Sequence, residues 1–235
     1  MANISKIRRF TVVDEDVLGA RSRADFVFEN LRDAIADGRI GRGQRVREEE
    51  IGRNLGVSRT PVREALQRLQ QRGLLAITGR GLVVAELTQQ QVAELYSMRE
   101  ILEGLAARFA AERASAHEIA VLYRLQKELK DSKNDPQLLV TMNRHFHRAI
   151  YEAAHNRYLM QTLDHLHDSF ALLQNTTFRP PSRRKISDEE HRRIVAAIER
   201  RDPDRAEAAA REHIRQAQFM RLQSPVAPGR RAKNT

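Results

Sequence analysis

The stretch LGVSRTPVREALQRLQQRGLL, residues 55–75, constrains the fold more than any other part of this 235-residue chain. Gly56 stops the helix before it, Ser58 or Thr60 can cap a new one, and Pro61 is tolerated in a first turn whose amides have no helical acceptor. Val62, Ala65, Leu66 and Leu69 then recur at helical spacing with arginines on the other side, until Gly73 closes the segment. Upstream, EEEIGRNLG predicts a short helix ending at Gly56, so two helices meet at a tight turn. Before it, Val27, Phe28, Leu31, Ala34 and Ile35 predict a further helix from Ala24, broken by the three glycines of DGRIGRGQRV. Downstream, LLAITGRGLVVAEL sets aliphatic and β-branched runs around TGRG, the pattern of a small hairpin. Residues 24–85 therefore read helix, helix, turn, helix, hairpin.

Beyond Thr88 the start signals are all helical. TQQQ, SAHE and SDEE each pair a hydroxyl cap with an amide or acid three positions on, while DPQ and DPD set proline just inside a helix behind an aspartate cap. They predict six helices near 88–113, 116–132, 136–155, 157–175, 188–200 and 203–222, with no strand pattern between them. The expected fold is mainly α: a winged helix-turn-helix domain over 23–86, then an all-α antiparallel bundle over 87–222. Residues 1–22 read as a flexible arm and 223–235 as a disordered basic tail.

Composition narrows the chemistry. There is no cysteine, which removes disulfides, thiol catalysis and zinc–cysteine sites together, so a metal would need histidine, carboxylate or amide ligands. The first residues lack the roughly 7–15 residue apolar core of a signal peptide, and no window reaches the ~18 apolar residues of a membrane span. The expectation is a cytoplasmic protein with no membrane partner. Formal charge is +10, and between residues 51 and 81 six arginines face one glutamate, a local balance of +5. Half the net charge thus sits in this short segment, which suits a polyanion.

A helix that reads the major groove must carry base-reaching and phosphate-reaching side chains near its N-terminus, held from behind by apolar packing. Arg59 and Arg63 lie one turn apart opposite Val62, Ala65 and Leu69, with Thr60 between them. Arginine can bond guanine bidentately, while Thr60 and the helix N-terminal amides suit phosphate, with Ser58 beside them a further DNA-binding candidate. Gly79, Arg80 and Gly81 put a cation at a hairpin tip that backbone can bring close to DNA, and Arg47 and Arg53 stand on either side of Glu49 in the preceding segment. A solvated basic surface helix is the competing reading of the arginines alone; the turn and the hairpin favour DNA.

In the helical part, Asn143 and His147 share a face with Leu139, Ile150 and Ala154. His191 stands over Ile194, Val195 and Ile198, and His213 lies in the row Ala206, Ala209, Ala210 and Ala217. These residues point inward, whereas His145, His165 and His167 have polar neighbours and His117 sits in a cap. Single core histidines are usually hydrogen-bonded; three on separate helices can also converge on a metal. Arg99, on the inward row Leu95, Tyr96, Leu102 and Ala106, needs a buried partner, either Glu103 one turn on or an anionic ligand. A hydrolase built on the three histidines is an alternative from another class, but no HExxH helix or paired carboxylate supplies its base.

The run LGVSRTPVREALQRLQQRGLL, with GRIGRGQRV before it and GRGLVV after it, resembles the GntR family of transcription regulators. The helices that follow resemble the ligand-binding (FCD) domain of its FadR-type branch, and their number, six, resembles its VanR-like subgroup. The resemblance spans about residues 23–222. It implies a ligand-responsive regulator, typically a repressor, that binds a palindromic operator as a homodimer. By position, Arg59, Thr60 and Arg63 would touch DNA and Gly79–Gly81 would form the wing tip. Glu49 departs from the pattern, since some members place an arginine there. His147, His191 and His213 match the family's metal ligands, and Asn143 stands where aspartate is usual, an oxygen ligand that is neutral and weaker. The implied ion is zinc, with nickel or manganese as alternatives. The extra positive charge favours a small organic acid as effector, with Arg99 as the residue that meets its carboxylate.

Overall fold

The computed structural model describes residues 22–132, 135–173 and 181–223. The arm and tail expected at the two ends lie almost wholly outside the described residues. Two compact units are present.

In the first unit, α1 (Arg23–Ala36), α2 (Glu48–Leu55) and α3 (Arg59–Gln71) precede an antiparallel hairpin of β1 (Leu75–Thr78) and β2 (Gly81–Val84). Ser22 starts α1 by accepting from the Asp25 amide at 3.1 Å. Gly56 ends α2 at φ 68°, a left-handed conformation that an L side chain would strain. A β-carbon on Gly52 would lie 2.9 Å from the Val57 carbonyl oxygen, so glycine is what lets α2 close on the turn. The predicted apolar rows meet in one core: Val27, Leu31 and Ile35 of α1, Leu55 of α2, and Val62, Ala65 and Leu69 of α3. The hairpin closes it with Leu75 opposite Val84. Residues 167–173 belong to this unit too, and Ala171 and Leu172 are buried in its core. Periodicity cannot reveal that, because an apolar row looks the same whichever core receives it.

The second unit holds α4 (Gln89–Arg113), α5 (Ala116–Asp131), α6 (Pro136–Ala153), α7 (Arg157–Ala171) up to residue 166, α8 (Pro181–Glu199) and α9 (Pro203–Gln223). Ser115 and Glu118 form the predicted capping box of α5. Asp135 accepts from the Leu138 amide and Asp202 from the Arg205 amide, each at 3.1 Å, as DPQ and DPD imply. One start signal misleads. SDEE does not open α8: Ser187 lies inside that helix at 2% exposure. A hydroxyl and an acid three residues apart cap a helix only where the chain arrives unwound, and here it is helical from Pro181, whose missing N–H costs nothing at a first position. The core gathers Ala107, Ala110, Leu122, Phe146, Ile150, Leu163, Ile194 and Ile198. Small residues on α4 and α9, including Ala106, Ala206 and Ala210, let these two helices run closely together. Among the described residues no helix is long and apolar enough to cross a membrane.

Candidate metal centre and nucleic-acid interface

His147 projects from α6, His191 from α8 and His213 from α9, with exposures of 3%, 0% and 3%. One ring nitrogen from each lies within 4.8 Å of the other two. Carboxylates back two of the rings: His147 Nδ1 is 2.9 Å from Glu103 Oε2, and His213 Nδ1 is 2.7 Å from Glu190 Oε2. Such a carboxylate holds the imidazole proton on Nδ1 and presents Nε2 with its lone pair to the centre. His147 Nε2 is buried with no hydrogen-bond partner, and so is Asn143 Oδ1 one turn earlier on α6. Burying an unsatisfied polar atom costs roughly 1–3 kcal/mol. Two orphaned lone-pair donors beside two further inward imidazoles therefore fit an electron-pair acceptor such as a divalent ion. Phe146 lies over His191 with ring centroids 4.4 Å apart and restrains that third ring.

Glu103 and Glu190 complete this arrangement, and sequence reasoning did not assign them to it. Glu103 could have been found: it shares a helical face with Tyr96, Ala106, Ala107 and Ala110, and an acid on an apolar face needs a partner. Their charges also revise the expected electrostatics, because two carboxylates lie beside the histidines and offset much of the positive charge that a neutral Asn143 leaves.

Arg99 is 8% exposed, and its Nε lies 2.5 Å from Glu103 Oε1. The one-turn ion pair thus forms, and Glu103 joins Arg99 to His147. Burial works against the Arg99 charge, but Glu103 and the neighbouring tyrosines outweigh it and hold its pKa above the ordinary arginine value. Burial and Glu103 also push the Tyr151 phenol well above its usual range, so it is a neutral hydroxyl near His147, ring centroids 6.4 Å apart. His117, His145 and His165 are exposed, His167 is half-buried, and His155 pairs with Glu118 at 3.1 Å.

On the first unit, the Arg59 and Arg63 side chains are 72% and 70% exposed on the face of α3 opposite its buried row. Ser58 occupies the cap position with an extended backbone but makes no capping bond. Arg47, Arg53, Thr60, Gly79 and Arg80 are exposed and Gly81 is half-buried. At the hairpin tip, the Thr78 hydroxyl accepts from the Arg80 amide and donates to the Gly81 carbonyl, both at 3.2 Å. Gly81 has φ 92°, and Arg45 guanidinium atoms lie 3.4 Å from where its β-carbon would be. Arg45 adds a cation to the wing that the sequence does not reveal, since its pairing opposite Val83 is a matter of register.

Not every arginine in the basic stretch faces outward. Arg68 bonds Asp25 at 2.6 Å, Arg72 bonds Asp168, and both guanidinium groups lie over the Phe28 ring, 4.7 and 5.0 Å from its centroid. They hold the fold together. Arg63 forks onto both oxygens of Glu48 at 3.2 and 3.1 Å, and Arg59 bonds Glu49 at 2.9 Å. The Arg63 hydrogen bond holds the Glu48 carboxyl below its usual pKa.

Two family models match this chain: "Bacterial regulatory proteins, gntR family" over residues 23–84, and "FCD domain" over residues 94–216. The Glc operon transcriptional activator of Escherichia coli strain K12 is 32% identical over 222 residues, covering 83% of this chain and 87% of that protein. The probable D-xylose utilization operon transcriptional repressor of Paenarthrobacter nicotinovorans is 34% identical over 186 residues, covering 77% and 80%. Among solved structures, E. coli McbR/YncC shares the fold at TM-score 0.79 and 24% identity, over 87% of this chain and 99% of that one. A GntR regulator from Rhodococcus sp. RHA1 superposes at TM-score 0.69 and 25% identity, over 86% and 98%.

Proposed function

Because the chain belongs to the gntR family of bacterial regulatory proteins and carries an FCD domain, we propose that it is a repressor whose operator binding is controlled by a small organic acid bound beside a divalent metal. The family is one of transcription regulators, not enzymes, which sets the hydrolase alternative aside. The observation that carries the metal reading is the convergence of three buried histidines with two orphaned ligand atoms, His147 Nε2 and Asn143 Oδ1. His147, His191, His213 and Asn143 would hold the ion, with zinc favoured and nickel or manganese as alternatives. When bound, it would supply a Lewis-acidic centre with positions open to an effector's oxygens.

The protein's own groups do the rest. Glu103 and Glu190 keep two imidazoles in the ligating tautomer. Taking these residues as ionised, a divalent ion, two carboxylates and the Arg99 guanidinium sum to +1, so an anion is still favoured. Arg99 is the cation such an acid would meet, at the cost of sharing it with Glu103. Binding energy that differs between operator-competent and operator-incompetent states is what an effector can use to shift the population. On DNA, Arg59 and Arg63 would reach base edges and Thr60 a phosphate, with Ser58, Arg47 and Arg53 as further contacts and Gly79, Arg80 and Gly81 as the wing tip. A homodimer with two such faces suits a palindromic site. Of the two relatives above, one is named an activator and the other a repressor; repression needs only occupancy of the promoter.

A gel shift with the DNA upstream of the protein's own gene, with and without chelator, tests both halves. Sequence-specific retardation that an organic acid relieves only before chelation is the expected result. Relief that survives chelation would remove the metal from the mechanism, and absence of retardation would remove the operator assignment.

A further inference from the structure

α2 begins with three consecutive glutamates, and each closes on an arginine: Glu48 on Arg63, Glu49 on Arg59 and Glu50 on Arg47. Two of these arginines, Arg59 and Arg63, are the ones proposed above to read bases. We propose that Glu48 and Glu49 are specificity-determining residues of the nucleic-acid interface, because their ion pairs cancel the charge that Arg59 and Arg63 would otherwise lend to phosphate attraction of any sequence. This rests on the DNA-binding reading above.

Counting from Arg47 rather than residue 51, seven arginines face four glutamates through Gly81, a balance of +3 in place of +5. Binding to random DNA is almost wholly electrostatic, and each phosphate neutralised adds about 0.9 to the slope of log affinity against log salt. An arginine already paired with a carboxylate releases fewer counterions, and the carboxylate itself repels phosphate. Random DNA therefore bears the full penalty.

A cognate site recovers part of it. Arginine bonded bidentately to guanine favours that base over the others by roughly 5–150-fold, a gain that contact with phosphate does not offer. The pairs themselves are weak enough to exchange. Both arginines are more than two-thirds exposed, Glu49 is 67% and Glu48 36% exposed, and exposed pairs of this kind contribute little to stability. The glutamates thus lower both affinities but lower the non-specific one more. That widens the ratio which decides occupancy among many competing sites.

The test uses full-length wild-type protein and the variants Glu48→Gln, Glu49→Gln and the double variant. Fluorescence anisotropy measures binding to a random duplex of about 30 base pairs and to duplexes enriched from a random pool by the wild type, across about 50–200 mM salt. Glutamine keeps the shape and removes the charge, and unchanged melting temperatures confirm folding. The double variant is expected to bind random DNA roughly tenfold more tightly at ~0.1 M salt, with a slope steeper by up to ~0.9 per released arginine. Its preference for the enriched duplexes should shrink. Equal affinities and slopes for variant and wild type would overturn the inference. So would loss of enriched-duplex binding, which would make a glutamate a base contact in its own right. Wild-type protein that binds neither duplex would overturn the DNA-binding reading, and this inference with it.

Discussion

At the scale of single residues, the centre turns on which ring nitrogen each histidine presents. Glu190 sets this for His213 through a 2.7 Å contact, and Glu103 sets it for His147. Loss of such a partner typically lowers metal affinity about 10–100-fold. Glu190→Gln is therefore expected to weaken zinc binding by that factor in a chelator-competition titration, and unchanged affinity would deny it the role. Asn143→Asp should act oppositely, tightening the same titration by restoring a charged oxygen ligand. Arg99 demands more care. Removing it leaves Glu103 buried without that ion pair, and breaking a buried pair from one side costs about 3–5 kcal/mol. Arg99→Ala should accordingly lower the thermal midpoint markedly, and an effector response lost in that variant reads as recognition only if Arg99→Lys retains the fold and still loses the response.

Individual elements are decided by how their ends and crossings are made. Gly52 lies where α2 meets the turn, and an added methyl would press on the Val57 carbonyl at 2.9 Å. Backbone cannot yield as a side chain can, so Gly52→Ala is expected to destabilise the first unit by about 1–3 kcal/mol, the range for overpacking. Chemical denaturation followed by a probe in each unit would register this as an earlier transition in the first unit, residues 167–173 included. The α5 capping box offers a milder case. Ser115→Ala should cost about 1 kcal/mol, since the Glu118 amide loses its acceptor. The same logic explains why SDEE misleads. The local pattern is present, but the helix already passes through it from Pro181.

At the scale of the whole molecule, metal, effector and operator binding are expected to be coupled. Coupling free energies between sites are typically about 1–3 kcal/mol, or 5–150-fold in affinity. Chelation should lower the melting temperature, zinc should restore it, and an organic acid should add a further shift only when the metal is present, by differential binding to the folded state. A shift from the acid that is indifferent to metal would separate the two sites. Sedimentation in solution should give twice the 27.0 kDa chain mass if the operator is read by a pair of winged helices.

What the sequence determined by itself was everything that depends on near neighbours along the chain. Glycine stops, proline and aspartate caps and 3.6-residue periodicity placed nearly every described helix and the hairpin. The same periodicity selected Asn143, His147, His191 and His213 as inward, because a face of a helix is a local property. The tertiary structure alone decided what those faces meet. That Glu103 and Glu190 back the histidines, that Arg68 and Arg72 turn inward onto Phe28, and that Glu48 and Glu49 engage the two exposed arginines of α3 are all contacts between separate elements. Partners of charged side chains are chosen by packing in space, and a one-dimensional pattern carries no record of which helix comes to lie across from which.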